Sequence, residues 1–87
     1  MSEADRWILA AHARRELRRL DPPVQRRIVE ALDRLTGEPA QGDVVKLSGS
    51  DDEWRLRVGD WRVRFTRSPD GQIQVLRILP RGRAYDR

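Results

Sequence analysis

The sequence predicts an α+β domain: a small twisted antiparallel sheet with an N-terminal pair of antiparallel helices on one face, in the order β-α-α-β-β-β. Three observations predict it. Over residues 54–65 (WRLRVGDWRVRF) apolar residues occupy 54, 56, 58, 61, 63 and 65 while arginine occupies 55, 57, 62 and 64, the period of a two-faced β-hairpin. Between residues 11 and 35 the apolar period is helical, broken only at Asp21-Pro22-Pro23. Beyond a Ser68-Pro69-Asp70-Gly71 turn, residues 73–79 (IQVLRIL) read as a last strand.

Taken in order, residues 6–9 (RWIL) are short, apolar and partly β-branched, and predict a first strand. Ala13, Leu17 and Leu20 then recur at helical spacing, with Arg14, Arg15, Arg18 and Arg19 on the flanks. Asp21 serves as the expected N-cap of a second helix, with Pro22 in the first turn, where a missing N–H costs nothing. Its buried stripe is Val24, Ile28, Ala31, Leu32 and Leu35, and Gly37 with Pro39 ends it. So short a connection makes the helices an antiparallel pair. Residues 38–53 read mostly as loop around a short apolar piece, 44–47.

In the hairpin, Gly59-Asp60 is a suitable two-residue turn. It pairs Val58 with Trp61, Arg57 with Arg62, Leu56 with Val63, Arg55 with Arg64, and Trp54 with Phe65. Directly opposed like charges destabilise a sheet, so two such arginine pairs argue for a use, with a solvated face as the bland alternative. Trp54 and Trp61 share the parity of Leu56, Val63 and Phe65 and are expected in the core, not stacked on bases. The last strand carries apolar residues on both parities, as a central strand does; Arg77 is assigned to the arginine face, with Leu76 and Ile78 toward the helices.

Charge sharpens this reading. Residues 1–53 carry nine basic and eleven acidic side chains, whereas residues 54–87 carry nine arginines against Asp60, Asp70 and Asp86. The C-terminal third therefore suits a polyanion. All but one of the 18 basic residues are arginine, the exception being Lys46. A chain of 87 residues supports one domain, residues 1–87, with a modest core. It has no cysteine, hence no disulfide or thiolate chemistry, and a lone His12 makes no zinc site. No cofactor or metal is expected. No apolar run approaches the roughly 20 residues that span a bilayer, and the first residues lack a signal pattern, so no membrane partner and a cytoplasmic location are expected.

No phosphate-binding glycine loop and no nucleophile constellation is present. Asp51, Asp52 and Glu53 read as solvated loop carboxylates, and His12 as a surface residue. What remains is a concentration of guanidinium groups (Arg55, Arg57, Arg62, Arg64, Arg77, Arg81, Arg83) beside one phenol, Tyr85. Guanidinium presents planar donors that match phosphate oxygens and can stabilise charge building on a phosphodiester. It is a very poor proton acceptor. Acid/base work in such a cluster falls to Tyr85, whose ring can equally pack or stack on a base.

In order along the chain, the short strand, the helix pair, the segment Lys46-Leu47-Ser48-Gly49, the WRLRVGDWRVRF hairpin and the ILPRGRAY ending resemble the RelE/ParE toxins of bacterial type II toxin–antitoxin pairs. The resemblance covers nearly the whole chain and is to the RelE-like branch. It implies the family's small twisted sheet with two helices on one face. It also implies a metal-independent endoribonuclease, an mRNA interferase that cleaves mRNA in the ribosomal A site by attack of a ribose 2′-OH on the adjacent phosphate. The implied partners are a cognate antitoxin, the ribosome and mRNA. Residue by residue, the resemblance carries catalytic roles to Arg55, Arg57, Arg62, Arg81 and Tyr85, the last two in the spacing R-x-x-x-Y; the remaining basic residues Lys46, Arg64, Arg77 and Arg83 are expected to contact RNA. The arginines at 55, 57 and 62 are expected to face solvent, so that removing any of them spares stability. The family pattern has lysine where this chain has Arg55 and Arg57, which replaces groups that exchange protons with groups that do not. Two alternatives stay open: a ParE-like inhibitor of DNA gyrase without chemistry, and a catalytically inactive RNA- or ribosome-binding member.

Overall fold

A computed structural model describes residues 6–49 and 52–82. Along the chain it contains β1 (Trp7–Leu9), α1 (Ala11–Arg18), α2 (Pro22–Leu35), β2 (Asp43–Lys46), β3 (Glu53–Val58), β4 (Trp61–Arg67) and β5 (Ile73–Pro80). The strands form one sheet in the order β1-β5-β4-β3-β2. All neighbours are antiparallel except β1, which runs parallel to β5.

Two features depart from the expected sheet. All but the last residue of the apolar piece at 44–47 lies in a fifth strand: β2 pairs with β3 in the register Val44↔Leu56 and Val45↔Arg55. Four residues are too few to display a period, so this strand is decided by its neighbour. The sheet is mixed, because the helix pair returns the chain to place β1 at the far edge beside β5, and side-chain periodicity carries no strand direction.

Helix α2 starts where the two prolines predict, but the Asp21 side chain makes no capping bond. The reason is local. An N-cap side chain bonds the N–H of N2 or N3; Pro23 at N2 has none, and the Val24 N–H is taken by the Asp21 backbone carbonyl at 2.9 Å.

The core lies between the helices and one sheet face. Ala13 from α1 and Ile28, Ala31, Leu32 and Leu35 from α2 pack with Leu56, Val63, Phe65, Ile73, Val75 and Ile78 from the sheet. Trp54, Val58 and Trp61 pack against this cluster, as their parity demands. The mixed parity of β5 has a specific cause: the register shifts from Arg64↔Arg77 to Phe65↔Val75, leaving Leu76 as the extra residue of a bulge. The bulge puts Ile73, Val75 and Ile78 on one face despite their numbering, while Leu79, also buried, lies outside the main cluster.

Candidate nucleic-acid interface

The β3–β4 register is the one the alternation requires, with Arg55↔Arg64 and Arg57↔Arg62 directly opposed on the face away from the helices. Gly59 takes φ +59°, the left-handed value a two-residue turn with glycine first needs. A Cβ there would lie 2.7 Å from Arg27 Nη2, so this α2 side chain packs directly over the turn.

Arg62, Arg64 and Arg57 each meet a different local partner. Arg62 is only 8% exposed, and its Nη1 donates to the carbonyls of Gly59 at 2.8 Å and Trp61 at 3.0 Å. The expectation that Arg62 faces solvent is therefore corrected: it folds back to close the hairpin turn. Arg64 forms an ion pair with Glu53 at 2.6 Å, both side chains about four-fifths buried. Glu53 is thus not a solvated loop carboxylate but a β3 residue of the same parity as Arg55. Arg57 reaches Asp43 at 3.7 Å, and both side chains are 61% exposed. Arg55, half-buried, stands between Val45 and Arg64.

Magnitudes separate these groups. A solvent-exposed pair such as Arg57–Asp43 is worth about 0–1 kcal/mol, so a phosphate can displace the carboxylate at little cost. The Arg64–Glu53 pair is short and largely withdrawn from water, and breaking it strands a charge. Of the two, Arg57 is the more readily released from its carboxylate, and Arg64 is held as part of the framework of the face.

Arg81 joins this region through its backbone, its N–H donating to the Asp60 carbonyl at 2.8 Å, and its side chain is exposed. Four other assignments change or fall outside. Arg77 pairs with Arg64 in register, but its Nε and Nη2 donate to Glu16 Oε2 at 3.0 and 2.7 Å, and the Ile78 N–H donates to Glu16 Oε1 at 2.7 Å. Hydrogen bonding to Glu16 raises the Arg77 pKa further above its ordinary value, so Arg77 is engaged by α1 and does not join the arginine face. Lys46 lies on the helix-side face, its Nζ 5.7 Å from the centre of the Trp54 ring, with the Arg67 guanidinium 5.8 Å from the same ring. Its register opposite Trp54 fixes that side. Arg83 and Tyr85 lie outside the described residues. Reasoning from sequence missed Glu16, Asp43 and Glu53 as counter-ions; the parity Glu53 shares with Arg55 was a usable signal for one of them.

Among the described residues no three His, Asp or Glu side chains cluster in a way that would hold a metal ion, and no helix is long and apolar enough to cross a membrane. The arrangement offers anion binding by Arg55, Arg57 and Arg81 around one end of a hairpin. It places two carboxylates, Asp43 and Glu53, on the same face.

Comparison with known proteins is consistent with this geometry. The sequence profile of the ParE toxin of type II toxin–antitoxin systems (parDE) matches residues 8–85. The fold resembles the archaeal RelE–RelB complex from Pyrococcus horikoshii OT3, with TM-score 0.72 and 32% identity over 88% of this chain and 94% of that one. It also resembles the RelB–RelE antitoxin–toxin complex from Methanococcus jannaschii, with TM-score 0.74 and 22% identity over 91% and 95% of the two chains. A third similar structure is the RelBE2 toxin–antitoxin complex from Mycobacterium tuberculosis, with TM-score 0.68 and 23% identity over 86% and 95%. No curated protein matches the chain by sequence.

Proposed function

The chain belongs to the RelE/ParE family of toxins of type II toxin–antitoxin systems, and on that premise we propose that it is a ribosome-dependent mRNA interferase acting in the cytoplasm and held in check by a cognate antitoxin. The observation that carries this reading is the arginine face of the hairpin. Arg57 is exposed there and only loosely held by Asp43, Arg55 lies two residues away on the same strand face, and the backbone of Arg81 is tied to the turn beside them.

In the proposed reaction the ribose 2′-OH attacks the adjacent phosphorus. The bond to the 2′-oxygen forms as that to the 5′-oxygen breaks, leaving a cyclic phosphate and a 5′-hydroxyl. Arg55 and Arg57 hold and polarise the phosphate, and Arg81 offsets charge building on it. Arg62 acts indirectly, keeping the turn closed and so keeping Arg57 in place. The proton leaving the 2′-OH needs an acceptor that guanidinium does not supply. Tyr85, four residues beyond Arg81, takes that role by relay, its phenol accepting the 2′-OH proton as it gives its own to the departing 5′-oxygen, and its ring stacks on a base.

A second reading has an observation of its own. No lysine stands on the arginine face among the described residues, since Lys46 is on the other side, and the matching profile is described by its ParE members. A ParE-like inhibitor of gyrase needs binding and no proton transfer. Primer extension on a translated message after induced expression distinguishes the two: an interferase produces codon-phased cuts, whereas a gyrase inhibitor leaves mRNA intact and triggers DNA damage.

A further inference from the structure

Helix α1 carries a second cationic surface that the hairpin site does not use. Arg14, Arg15 and Arg18, with Arg19 at its C-cap, are all exposed. Arg14 and Arg18, and Arg15 and Arg19, are four residues apart, the spacing at which like charges destabilise a helix. The only acid of the helix, Glu16, does not relieve them, because its carboxylate is turned to Arg77 and the Ile78 N–H. Arg14 donates to the Leu9 carbonyl. Among the described residues Arg15, Arg18 and Arg19 form no salt bridge. The favourable interaction of cations with a helix C-terminus accounts for some of this in the last turn, but not for repulsive pairs retained along one face.

The surface also lacks what a protein partner needs. The exposed large apolar residues among those described are Ile8 and Val45, neither of them on α1, so no apolar anchor accompanies the guanidinium groups. Without such an anchor, a run of arginines on a helix suits a row of phosphates. Its position matters as well. Helix α1 packs on β5, on the face opposite the hairpin arginines, and β4 separates β5 from β3. A flexible strand lying on one face does not touch both surfaces, whereas a folded RNA surrounding a body of 33 × 32 × 23 Å does.

We propose that the exposed arginine face of α1 (Arg14, Arg15, Arg18, Arg19) is a second RNA-binding surface that takes the phosphate backbone of double-helical RNA without reading its sequence. The choice of RNA rests on the RNA-directed reading above, but the surface itself requires no cleavage. The test is fluorescence anisotropy of a short labelled RNA duplex with the intact chain over a salt series. Arg15→Gln/Arg19→Gln is compared with Arg34→Gln/Arg67→Gln, which removes the same charge elsewhere. The α1 variant is expected to lose roughly tenfold in affinity and to flatten the slope of log K against log salt by about two. The control loses less than about threefold, and Arg15→Lys/Arg19→Lys restores binding. Equal losses in both double variants would mean that only net charge matters and would overturn the proposal. So would an α1 variant that keeps duplex affinity but no longer binds a polyglutamate peptide, which would assign the surface to an acidic protein. The duplex has no codon, so absence of codon-phased cuts refutes the interferase reading without affecting this result.

Discussion

Replacing Arg62 with alanine separates structure from function on the arginine face. The side chain is 8% exposed and its guanidinium donates two hydrogen bonds to the carbonyls of Gly59 and Trp61. Hydrogen bonds from a charged donor contribute about 1.5–3 kcal/mol, and their loss leaves the turn carbonyls to find other donors. Against this, removing one member of the Arg57↔Arg62 pair relieves roughly 0.2–1 kcal/mol of repulsion. The net loss is about 1–2.5 kcal/mol, which for a domain of this size lowers the melting temperature by roughly 5–15 °C. Arg57→Ala removes an exposed pair worth little and relieves the same repulsion, so it stays within about 0.5 kcal/mol of the parent. Thermal unfolding followed by circular dichroism measures both, with urea unfolding to check that the slope is unchanged. An Arg62→Ala protein melting within about 2 °C of the parent, or above Arg57→Ala, would refute the assignment of Arg62 as the residue that closes the turn.

Three further outcomes are expected. Gly59→Ala forces a side chain into the left-handed region and is expected to lose about 1–2 kcal/mol in urea unfolding. Most of that loss persists in an Arg27→Ala background, because the strain is in the backbone and the guanidinium tip that approaches the turn can move aside. Glu16→Ala removes the acceptor for Arg77 and the Ile78 N–H and is expected to lose about 1–3 kcal/mol, with Glu16→Gln intermediate, by the same measurement. For the proposed reaction, Tyr85→Phe should slow single-turnover cleavage on ribosomes by on the order of 10²–10⁴-fold with affinity nearly unchanged, and Tyr85→Ala should lose more. A parental rate for Tyr85→Phe would remove proton transfer from its role.

The hairpin was the legible part of this chain. Strict alternation on both sides of Gly59-Asp60 leaves one register that puts Trp54, Leu56, Val63 and Phe65 on a single face. The helix pair was legible for the same reason, its apolar stripe being long enough to show a period. What escaped depends on partners that lie far apart in sequence. Strand β2 has no period of its own, so the side on which Lys46 falls is set only by its pairing with β3. The bulge at Leu76 makes parity misleading in β5, and whether Arg77 meets phosphate or Glu16 is decided by a contact across 61 positions. Parity placed Arg62 on the correct face, but burial on that face comes from the guanidinium folding onto its own turn, which no pattern records.

The contact between Glu16 and β5 has a consequence for the sheet as an open surface. Strand β1 is three residues long, and its pairing with β5 runs out where the Ala10 N–H donates to the Val75 carbonyl. Beyond that point the margin of β5 would offer bare backbone to any extended segment of another molecule, the usual starting point for edge-to-edge aggregation. The Glu16 carboxylate occupies the Ile78 N–H instead, so a side chain from a helix finishes the border that a longer strand would otherwise have covered. A charged plug of this kind lets the first strand stay short without making the molecule self-adhesive. A chain lacking it would be expected to accumulate as strand-paired oligomers before it lost its fold.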